Sequence, residues 1–398
     1  MVVHVLDDAF LQPEPGTRAA DHLAGGLGLT AVLLVVAAAY PFLRPGVRAP
    51  IAAFVAVLTV GIGAEAAEAL RSGALAGDDF TGLLALLAAP TLALVAGIVL
   101  WRSRRRTGPW WRRVVRRLLM TVLAAYVALV VALPLAVGYG GTHVRVSPAA
   151  PESLGRSAEE LTIRTADGQD LAARYVPSRN GAAILVVPGR RAAHARMLAG
   201  HGYGVLLLEH RGSGDSTGDP SMVGWNRAED VKAAIAYLRS RPDVDEDRIG
   251  GLGLSVGGET LLQVAASTPE LRAVVSEGAG IRSLREVGHL PISSQVVYWP
   301  SWAFMTASTA WFSGQAPPPD LVDLVAQIQP RQIFLIHAEV GSGGEELNPY
   351  YEAAAGPSAT RWEIPGNDHI GGIRVAGEEY ERRVVDFFDE ALAEGSPS

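Results

Sequence analysis

The chain contains no cysteine among its 398 residues, so disulfides, thiolate metal sites and cysteine nucleophiles are all excluded. No basic segment precedes its first apolar run, so the amino-terminal part is not expected to be a cleaved secretory signal. Long stretches of the first 139 residues carry almost no charge, whereas the rest has the mixed polarity of a globular domain. The formal net charge is −7, and the one cluster of arginines is better explained by membrane topology, as described below. We therefore expect no nucleic-acid partner.

Four apolar stretches in the first part of the chain are each long enough to cross a bilayer as a helix, which takes roughly 20 residues. Because the loops between them are short, four membrane spans are favoured over the buried core helices of a soluble protein. The stretches run from about Leu23 to Leu43, Pro50 to Leu70, Phe80 to Trp101 and Leu118 to Tyr139.

Arginine placement predicts the side of each loop, because loops rich in Lys and Arg stay in the cytoplasm. Eight arginines lie from Arg102 to Arg117, between the third and fourth stretches, and Arg44 and Arg48 lie between the first and second. Both loops fall on the same side of an even number of spans. The sequence therefore predicts a multi-pass protein of the cell membrane, embedded in the lipid bilayer, whose C-terminal domain is extracytoplasmic.

From about residue 161 the sequence alternates short apolar strands with helical segments, which is typical of a parallel sheet with helices on both faces. A segment containing Pro and Ala precedes this region. We therefore divide the chain into a membrane domain of four transmembrane helices over 1–144, a linker over 145–160 and an α/β domain over 161–398. The predicted fold of the last is a mostly parallel, doubly wound sheet with a small helical lid.

The segment Gly253-Leu254-Ser255-Val256-Gly257 matches the pattern G-x-S-x-G and lies between an apolar strand and an apolar helix. In so tight a turn the serine has a strained backbone, and the positions two residues away must lack side chains. The hydroxyl of Ser255 would project at the end of the helix, whose dipole favours developing negative charge. This context favours Ser255 as a catalytic nucleophile over an incidental serine in a Gly-rich turn.

A serine nucleophile needs a base. Where the serine lies in a G-x-S-x-G turn between a strand and a helix, the order of the catalytic residues along the chain is Ser, acid, His. His369 follows the last predicted strand and is the predicted base. The acid should follow the strand that ends near His337, but that segment contains no Asp. Glu345 is the predicted acid because it opens the segment after a Gly-rich loop, and Glu339 and Glu346 remain alternatives.

The oxyanion of a tetrahedral intermediate needs main-chain N–H donors. The N–H of Val256, the residue after the nucleophile, is one predicted donor. The second is predicted at Arg190, in the loop after the apolar strand that ends in Pro188-Gly189. These roles belong to the main chain, and the side chains of Arg190 and Arg191 are equally compatible with ordinary surface charges.

Over about Leu161 to Ala393 these residues resemble the α/β-hydrolase superfamily. The landmarks are LVVPG, HRGSGDSTG and GLSVGG followed by a distal DHIGG, and their combination is similar to the dienelactone-hydrolase, acylaminoacyl-peptidase and bacterial acyl-esterase branch. The segments DG-x-x-L and YVPSRNG after an apolar region also look like membrane-anchored bacterial members. The chain departs from the pattern at Pro188, which replaces the usual His of His-Gly, and at the missing acidic Asp.

An insert at about 281–330, between the sixth and seventh strands of this fold, resembles the lids of α/β-hydrolases. Its aromatic side chains suit an acyl or other apolar group of a substrate. They are equally compatible with the insert's own core or with contact to the nearby membrane. These residues are Tyr298, Trp299, Trp302, Phe304, Trp311 and Phe312.

Together these features predict a membrane-anchored serine hydrolase, carboxylesterase-like, that forms an acyl-serine intermediate on an extracytoplasmic small-molecule or lipid-like acyl substrate. A serine peptidase or thioesterase of the same fold is an alternative. A non-catalytic membrane protein that binds or senses through a hydrolase scaffold is an alternative of another class. We expect no metal and no organic cofactor, because the predicted set of residues is complete without one.

Overall fold

The computed structural model describes residues 2–11, 23–44, 46–56, 59, 81, 84–102, 109–143, 154, 158–188, 191–339, 344–366 and 369–393. The chain divides into two compact units, Met1–Gly140 and Gly141–Ser398. The first unit is helical where it is described, and the second is built on a sheet.

Helices account for nearly all described residues of the first unit. They are α1 (Val2–Leu6) continued by a π-helical turn (Asp7–Leu11), α2 (Leu23–Ala39) continued by a 3₁₀ turn (Tyr40–Phe42), α3 (Gly46–Ala56), α4 (Ala85–Arg102), α5 (Trp110–Val127) with a π-helical turn (Ala128–Ala132), and α6 (Leu133–His143). From α5 to α6 the helix is continuous. Within the described ranges, its segment Val114–His143 is the one helix whose length and composition would let it cross a membrane.

The fourth predicted membrane span lies within this long helix. The first and third predicted spans fall on α2 and α4. The apolar helical segments found there, Leu33–Phe42 and Leu87–Val99, are shorter than a membrane span requires. Most of the second predicted span lies outside the described residues. A four-span membrane domain therefore stays a prediction.

Eight strands form one sheet in the second unit, in the order β1-β2-β4-β3-β5-β6-β7-β8. β1 and β2 pair antiparallel around a turn at Asp167-Gly168, and β2 pairs antiparallel with β4, whereas all later neighbours are parallel. The strands are β1 (Glu159–Arg164), β2 (Asp170–Val176), β3 (Ala183–Val187), β4 (Gly204–Leu208), β5 (Ile249–Leu254), β6 (Ala273–Glu277), β7 (Gln332–Ala338) and β8 (Ala359–Ile364). The predicted mostly parallel sheet is confirmed.

Nine further α-helices are described in this unit. They are α7 (Ala192–Gly200), α8 (Ala228–Arg239), α9 (Val256–Ala265), α10 (Leu284–Val287), α11 (Ile292–Ser313), α12 (Leu321–Val325), α13 (Asn348–Ala355), α14 (Gly372–Val375) and α15 (Gly377–Ala391). Short 3₁₀ turns at Glu345–Leu347 and Gly356–Ser358 flank α13. Helices α10, α11 and α12 all lie within the predicted insert at 281–330.

The central strands are buried on both faces, which explains their uninterrupted apolar sequences. In β3, Leu185 and Val187 pack into one hydrophobic core with residues of α8, α9 and α13. Ile184 and Val186, on the opposite face, pack into a second core with residues of α7 and α15. Because successive side chains of a strand point to opposite faces, one strand contributes to both cores. The result is a sheet covered by helices on each side.

Candidate active site

Ser255 occupies the sharp turn between β5 and α9, where its backbone has φ 53° and ψ −128°. A positive φ is unfavourable for a residue with a side chain, so the surrounding structure must hold it in place. A Cβ at Gly253 would lie 2.5 Å from the nitrogen of Gly258, and one at Gly257 would lie 2.4 Å from the carbonyl oxygen of Val187. The predicted need for glycine at both flanking positions is therefore steric.

His369 lies in the loop that follows β8, with its Nε2 atom 2.8 Å from the hydroxyl oxygen of Ser255. Its Nδ1 atom lies 2.5 Å from Oε1 of Glu345. With the proton on Nδ1, the ring donates to Glu345 and accepts from the serine hydroxyl. The three residues predicted from the sequence as nucleophile, base and acid are thus brought together in one chain of hydrogen bonds.

Glu345 begins the 3₁₀ turn after β7, and its side chain is only 1% exposed. Its second carboxylate oxygen accepts a hydrogen bond from the main-chain N–H of Ala338 at 2.9 Å. Gly344 before it has φ 97°, and a Cβ there would lie 2.2 Å from the side chain of Ile281. Glycine at this position lets the chain turn back and direct Glu345 inward.

The two alternative acids lie elsewhere. Glu339 is exposed, and its carboxylate accepts a hydrogen bond from the main-chain N–H of Gly366 at 2.8 Å. Glu346 is exposed beside the buried Glu345. Neither carboxylate is hydrogen-bonded to His369 among the bonds the structure describes, so the geometry favours Glu345.

Val256 is the first residue of α9, where main-chain N–H groups have no partner within the helix. Its position next to Ser255 suits the predicted oxyanion role. The other predicted donor, Arg190, lies outside the described residues, as does Gly189. Of the two predicted oxyanion donors, Val256 lies within the described residues and Arg190 does not, and both roles stay predictions.

A cavity of about 160 Å³ opens beside Ser255 and His369. Its apolar wall includes Val223 and Trp225 from the segment before α8, and Trp302 and Met305 from α11. Of the six aromatic residues predicted as substrate contacts, Trp302 lines this cavity. Tyr298 and Trp302 also pack against the core, whereas Trp299, Phe304, Trp311 and Phe312 are exposed.

A buried ion pair also borders the cavity, and sequence reasoning did not assign it. Arg282 donates to the carboxylate of Glu259 at 3.1 Å, and the main-chain N–H of Gly280 donates to the other oxygen of Glu259. Glu259 lies four residues after Ser255 on α9, so the two share one helix face. That spacing was visible in the sequence, but its partner at Arg282 was not.

Glu277 is a second residue that sequence reasoning missed. It ends β6, and its carbonyl oxygen accepts the N–H of Ser255 at 2.7 Å. Its carboxylate accepts hydrogen bonds from the N–H of Gly372 and the hydroxyl of Tyr380. Burial raises the pKa of Glu277 despite these two donors. The available signal was an acidic residue at the end of an otherwise apolar strand.

The HRGSGDSTG segment contributes to the framework and not to the cavity. Arg211 within it forms ion pairs with Asp230 of α8 at 2.5 Å and with Asp167 of the β1–β2 turn at 2.7 Å. The guanidinium of Arg211 holds the pKa of Asp167 down to about 2. These bonds fix the β1–β2 turn to α8.

Comparison with known proteins identifies the architecture. Residues 146–338 match the family described as X-Pro dipeptidyl-peptidase (S15 family). That range contains Ser255 but ends before Glu345 and His369. A solved structure, the esterase Pf2001 of Pyrococcus furiosus, superimposes with a TM-score of 0.50 and 19% identity, covering 62% of this chain and 100% of the esterase. The second unit has the α/β-hydrolase fold.

We now call Gly141–Ser398 the hydrolase unit, and two sequence relatives of the chain follow. The protein YfhR of Escherichia coli K12 is 25% identical over 253 residues, which cover 59% of this chain and 82% of YfhR. The thiohydrolase aneE of Aspergillus aculeatus is 27% identical over 212 residues, which cover 50% of this chain and 65% of aneE. The family match and the likeness to the thiohydrolase support hydrolase activity.

Proposed function

We propose that the chain is a membrane-anchored serine hydrolase that cleaves carboxylic esters through an acyl-Ser255 intermediate. The observation that carries the proposal is the line of hydrogen bonds from Ser255 through His369 to the buried Glu345. Such a line activates a hydroxyl that is otherwise a weak nucleophile, because the imidazole can take its proton as the bond to the substrate forms. The strained turn at Ser255 leaves that hydroxyl at the cavity.

The reaction would take place in two halves. The oxygen of Ser255 attacks the ester carbonyl carbon while its proton moves to Nε2 of His369, and the N–H of Val256 stabilises the oxyanion. The tetrahedral intermediate collapses, and His369 returns the proton to the departing alkoxide, which leaves as an alcohol. Water then attacks the acyl-enzyme with His369 again as base, and the carboxylic acid and free Ser255 are released. Glu345 stabilises the imidazolium in both halves.

The cavity suggests which part of a substrate it takes. An apolar cavity of roughly 150 Å³ holds a group the size of benzene. The present cavity of about 160 Å³ would therefore take about six non-hydrogen atoms of an acyl group next to the scissile bond. Trp225, Trp302 and Met305 suit apolar carbon atoms at that position.

A fluorophosphonate probe tests the assignment directly, because it reacts with activated serine hydroxyls. The full chain should be labelled, and Ser255→Ala should lose both labelling and turnover of a short water-soluble ester. Ser267→Ala, just beyond the far end of α9, is the matched control and should behave as wild type. Labelling that survives Ser255→Ala would show that another residue is the nucleophile, and no labelling at all would favour a non-catalytic scaffold.

A serine peptidase is the second candidate, favoured by the family match over residues 146–338. Three substrates with matched leaving groups, an ester, a thioester and an Xaa-Pro amide, would separate the candidates. The ester proposal expects the highest kcat/KM for the ester, and a preference for the Xaa-Pro amide would replace it.

Anchoring in the membrane is part of the same proposal. The helix Val114–His143 has the length and apolar composition of a membrane span, and its last three residues already belong to the hydrolase unit. The arginines between Arg102 and Arg117 precede it or fall in its first turn, so the positive-inside rule would leave its carboxyl end outside the cytoplasm. We therefore propose an extracytoplasmic site and an extracytoplasmic small-molecule or lipid-like acyl substrate.

A further inference from the structure

Helix α11 carries an exposed apolar stripe on the outside of the hydrolase unit. Its residues follow one another at helical spacing, with a shift of one position at Pro300. Ile292 and Trp311 are 80% and 84% exposed, Val296 and Trp299 more than half exposed, and Phe304 39% exposed. We call this set the lid stripe: Ile292, Val296, Trp299, Phe304, Ala307 and Trp311.

The lid stripe has no charged neighbour on its own helix. From Leu290 to Pro319 the sequence contains no Asp, Glu, Lys, Arg or His. Surfaces of soluble proteins normally intersperse charges among apolar residues, and a contiguous exposed apolar patch usually marks an interaction site. The composition of the stripe, with two tryptophans, is that of a segment placed at a membrane–water interface, where the amphipathic indole ring is favoured.

The opposite side of the same helix faces the catalytic cavity. Trp302, Met305 and Thr306 of α11 line that cavity together with Ser255 and His369. Ser308 and Thr309 are buried against the hydrolase unit. One helix therefore separates the cavity from whatever covers the lid stripe.

The first residues of the hydrolase unit contact other segments of the same unit. His143, which is also the last residue of the helix Val114–His143, packs edge-on against Phe312 of α11 with 5.8 Å between ring centroids. Close by, the main-chain N–H of Met222 donates to the carbonyl oxygen of Gly141 at 2.8 Å. If Val114–His143 crosses a membrane, its end marks the level of one interface. The contact at Phe312 then holds α11 at that level.

We propose that the lid stripe rests in the interfacial layer of the membrane that Val114–His143 crosses, and that the cavity receives acyl chains of bilayer lipids past α11. The proposal rests on the proposed function, because it names the substrate class of the Ser255 site. The occupant of the stripe is the lipid bilayer, whose apolar boundary matches a charge-free face. The cavity would hold the acyl atoms next to the ester, while the rest of the chain stays in the bilayer.

Because the chain has no cysteine, single cysteines can report contact with lipid in the full-length protein. Trp299→Cys and Trp311→Cys would carry an environment-sensitive fluorophore in proteoliposomes of phosphatidylcholine and phosphatidylglycerol. Lys232→Cys on α8 and Glu381→Cys on α15 are the controls. Phospholipids with a spin label near the headgroup should quench the two stripe positions strongly and the controls weakly. Equal quenching at all four positions, or energy transfer between stripe labels of two chains without lipid quenching, overturns the proposal.

Activity supplies a second test that separates this proposal from the proposed function. The double variant Trp299→Ser/Trp311→Ser should lower hydrolysis of an ester embedded in vesicles by on the order of tenfold, because interfacial binding scales with buried apolar area. Its hydrolysis of a short water-soluble ester should stay within about twofold of wild type, since neither residue lines the cavity. Unchanged hydrolysis of the embedded ester contradicts the lipid proposal. If the wild-type protein does not hydrolyse the soluble ester, the proposed function is contradicted instead. The quenching experiment then still shows whether the lid stripe contacts lipid.

Discussion

The carboxylate of Glu277 accepts a hydrogen bond from the main-chain N–H of Gly372 at 2.8 Å, and so fixes the end of β6 to the loop that carries His369. Gly372 lies three residues after the base. Glu277 also accepts a hydrogen bond from the main-chain N–H of Ser255 through its own carbonyl oxygen. Glu277 therefore holds the nucleophile turn and the base loop at a fixed separation without touching the cavity.

Glu277→Ala should lower kcat while KM changes little, because the loop with His369 loses its anchor and the N–H of Gly372 loses its acceptor. A buried hydrogen bond to a carboxyl group contributes about 1–3 kcal/mol, so the midpoint of thermal unfolding should also fall. Glu277→Gln keeps an oxygen for Gly372 and should be the milder change. Steady-state kinetics with a soluble ester would check this, and an unchanged kcat in Glu277→Ala would refute the positioning role.

The choice among three glutamates can be tested by isosteric substitution. Glu345→Gln should reduce kcat on the order of 10³–10⁴-fold with little change in KM, because the acid orients the base and stabilises its charged form. Glu339→Gln and Glu346→Gln, both exposed positions, should stay within about tenfold of wild type. If either control proved more damaging than Glu345→Gln, the acid would have to be reassigned.

Gly257→Ala should inactivate the protein and destabilise the hydrolase unit. The added Cβ would lie 2.4 Å from the carbonyl oxygen of Val187, and a backbone atom of a central strand cannot move aside. Overpacking of this kind costs about 1–3 kcal/mol or more. Gly200→Ala, at the end of α7 with no atom within 4 Å of the new Cβ, is the control. The midpoint temperature of thermal unfolding should fall in Gly257→Ala and stay unchanged in Gly200→Ala.

His194 should make the protein less stable in acid. Burial, with a smaller contribution from Arg191, lowers its pKa to about 4, so the ring is neutral in the folded state at neutral pH. In the unfolded chain its pKa is near 6.5, so between about pH 6.5 and 4 the unfolded state binds the extra proton. The free energy of unfolding therefore falls as pH falls through that window, by up to about 3 kcal/mol.

The variant His194→Gln cannot titrate, so its stability should change less than that of wild type between pH 7 and 4.5. His201→Gln, which removes an exposed histidine paired with Glu381, is the control variant. Unfolding midpoints across pH would show the difference. Parallel pH profiles for His194→Gln and wild type would mean that another group dominates the acid response.

A fusion experiment can test on which side of the membrane the hydrolase unit lies. Alkaline phosphatase fused after Ser398 should be active in intact cells, and green fluorescent protein exported at the same position by the general secretory route should be dark. The physical reason is that the eight arginines from Arg102 to Arg117 are costly to move across the bilayer. A bright fluorescent fusion with inactive phosphatase would put the hydrolase unit in the cytoplasm and leave the assignment of Ser255 untouched.

Local patterns were enough to predict Ser255 and His369 as members of a site, because each follows a strand and the sequence carries strand and turn signals. The acid was harder, since Glu339, Glu345 and Glu346 all lie within about eight residues of the end of β7. The structure favours Glu345 because Gly344 turns the chain inward against Ile281. Glu277 has no motif around it, and an acidic residue at the end of an apolar strand did not by itself reveal its bonds to Gly372 and Tyr380.

The sequence by itself determined the alternation of strands and helices and the parallel sheet, because these depend on neighbouring residues. The motif indicated glycine at position 257, but the atom that requires it, the carbonyl oxygen of Val187, belongs to a distant strand. Only the tertiary structure decided which side chains meet. His369 and Ser255 are 114 residues apart, and His369 and Glu345 are 24 apart, yet each pair lies within hydrogen-bonding distance. The order of strands across the sheet sets those distances, and β5, β6, β7 and β8 bring their carboxyl ends to one edge. The pairing of Glu259 with Arg282, the anchor at Glu277 and the exposed face of α11 likewise depend on packing between distant segments.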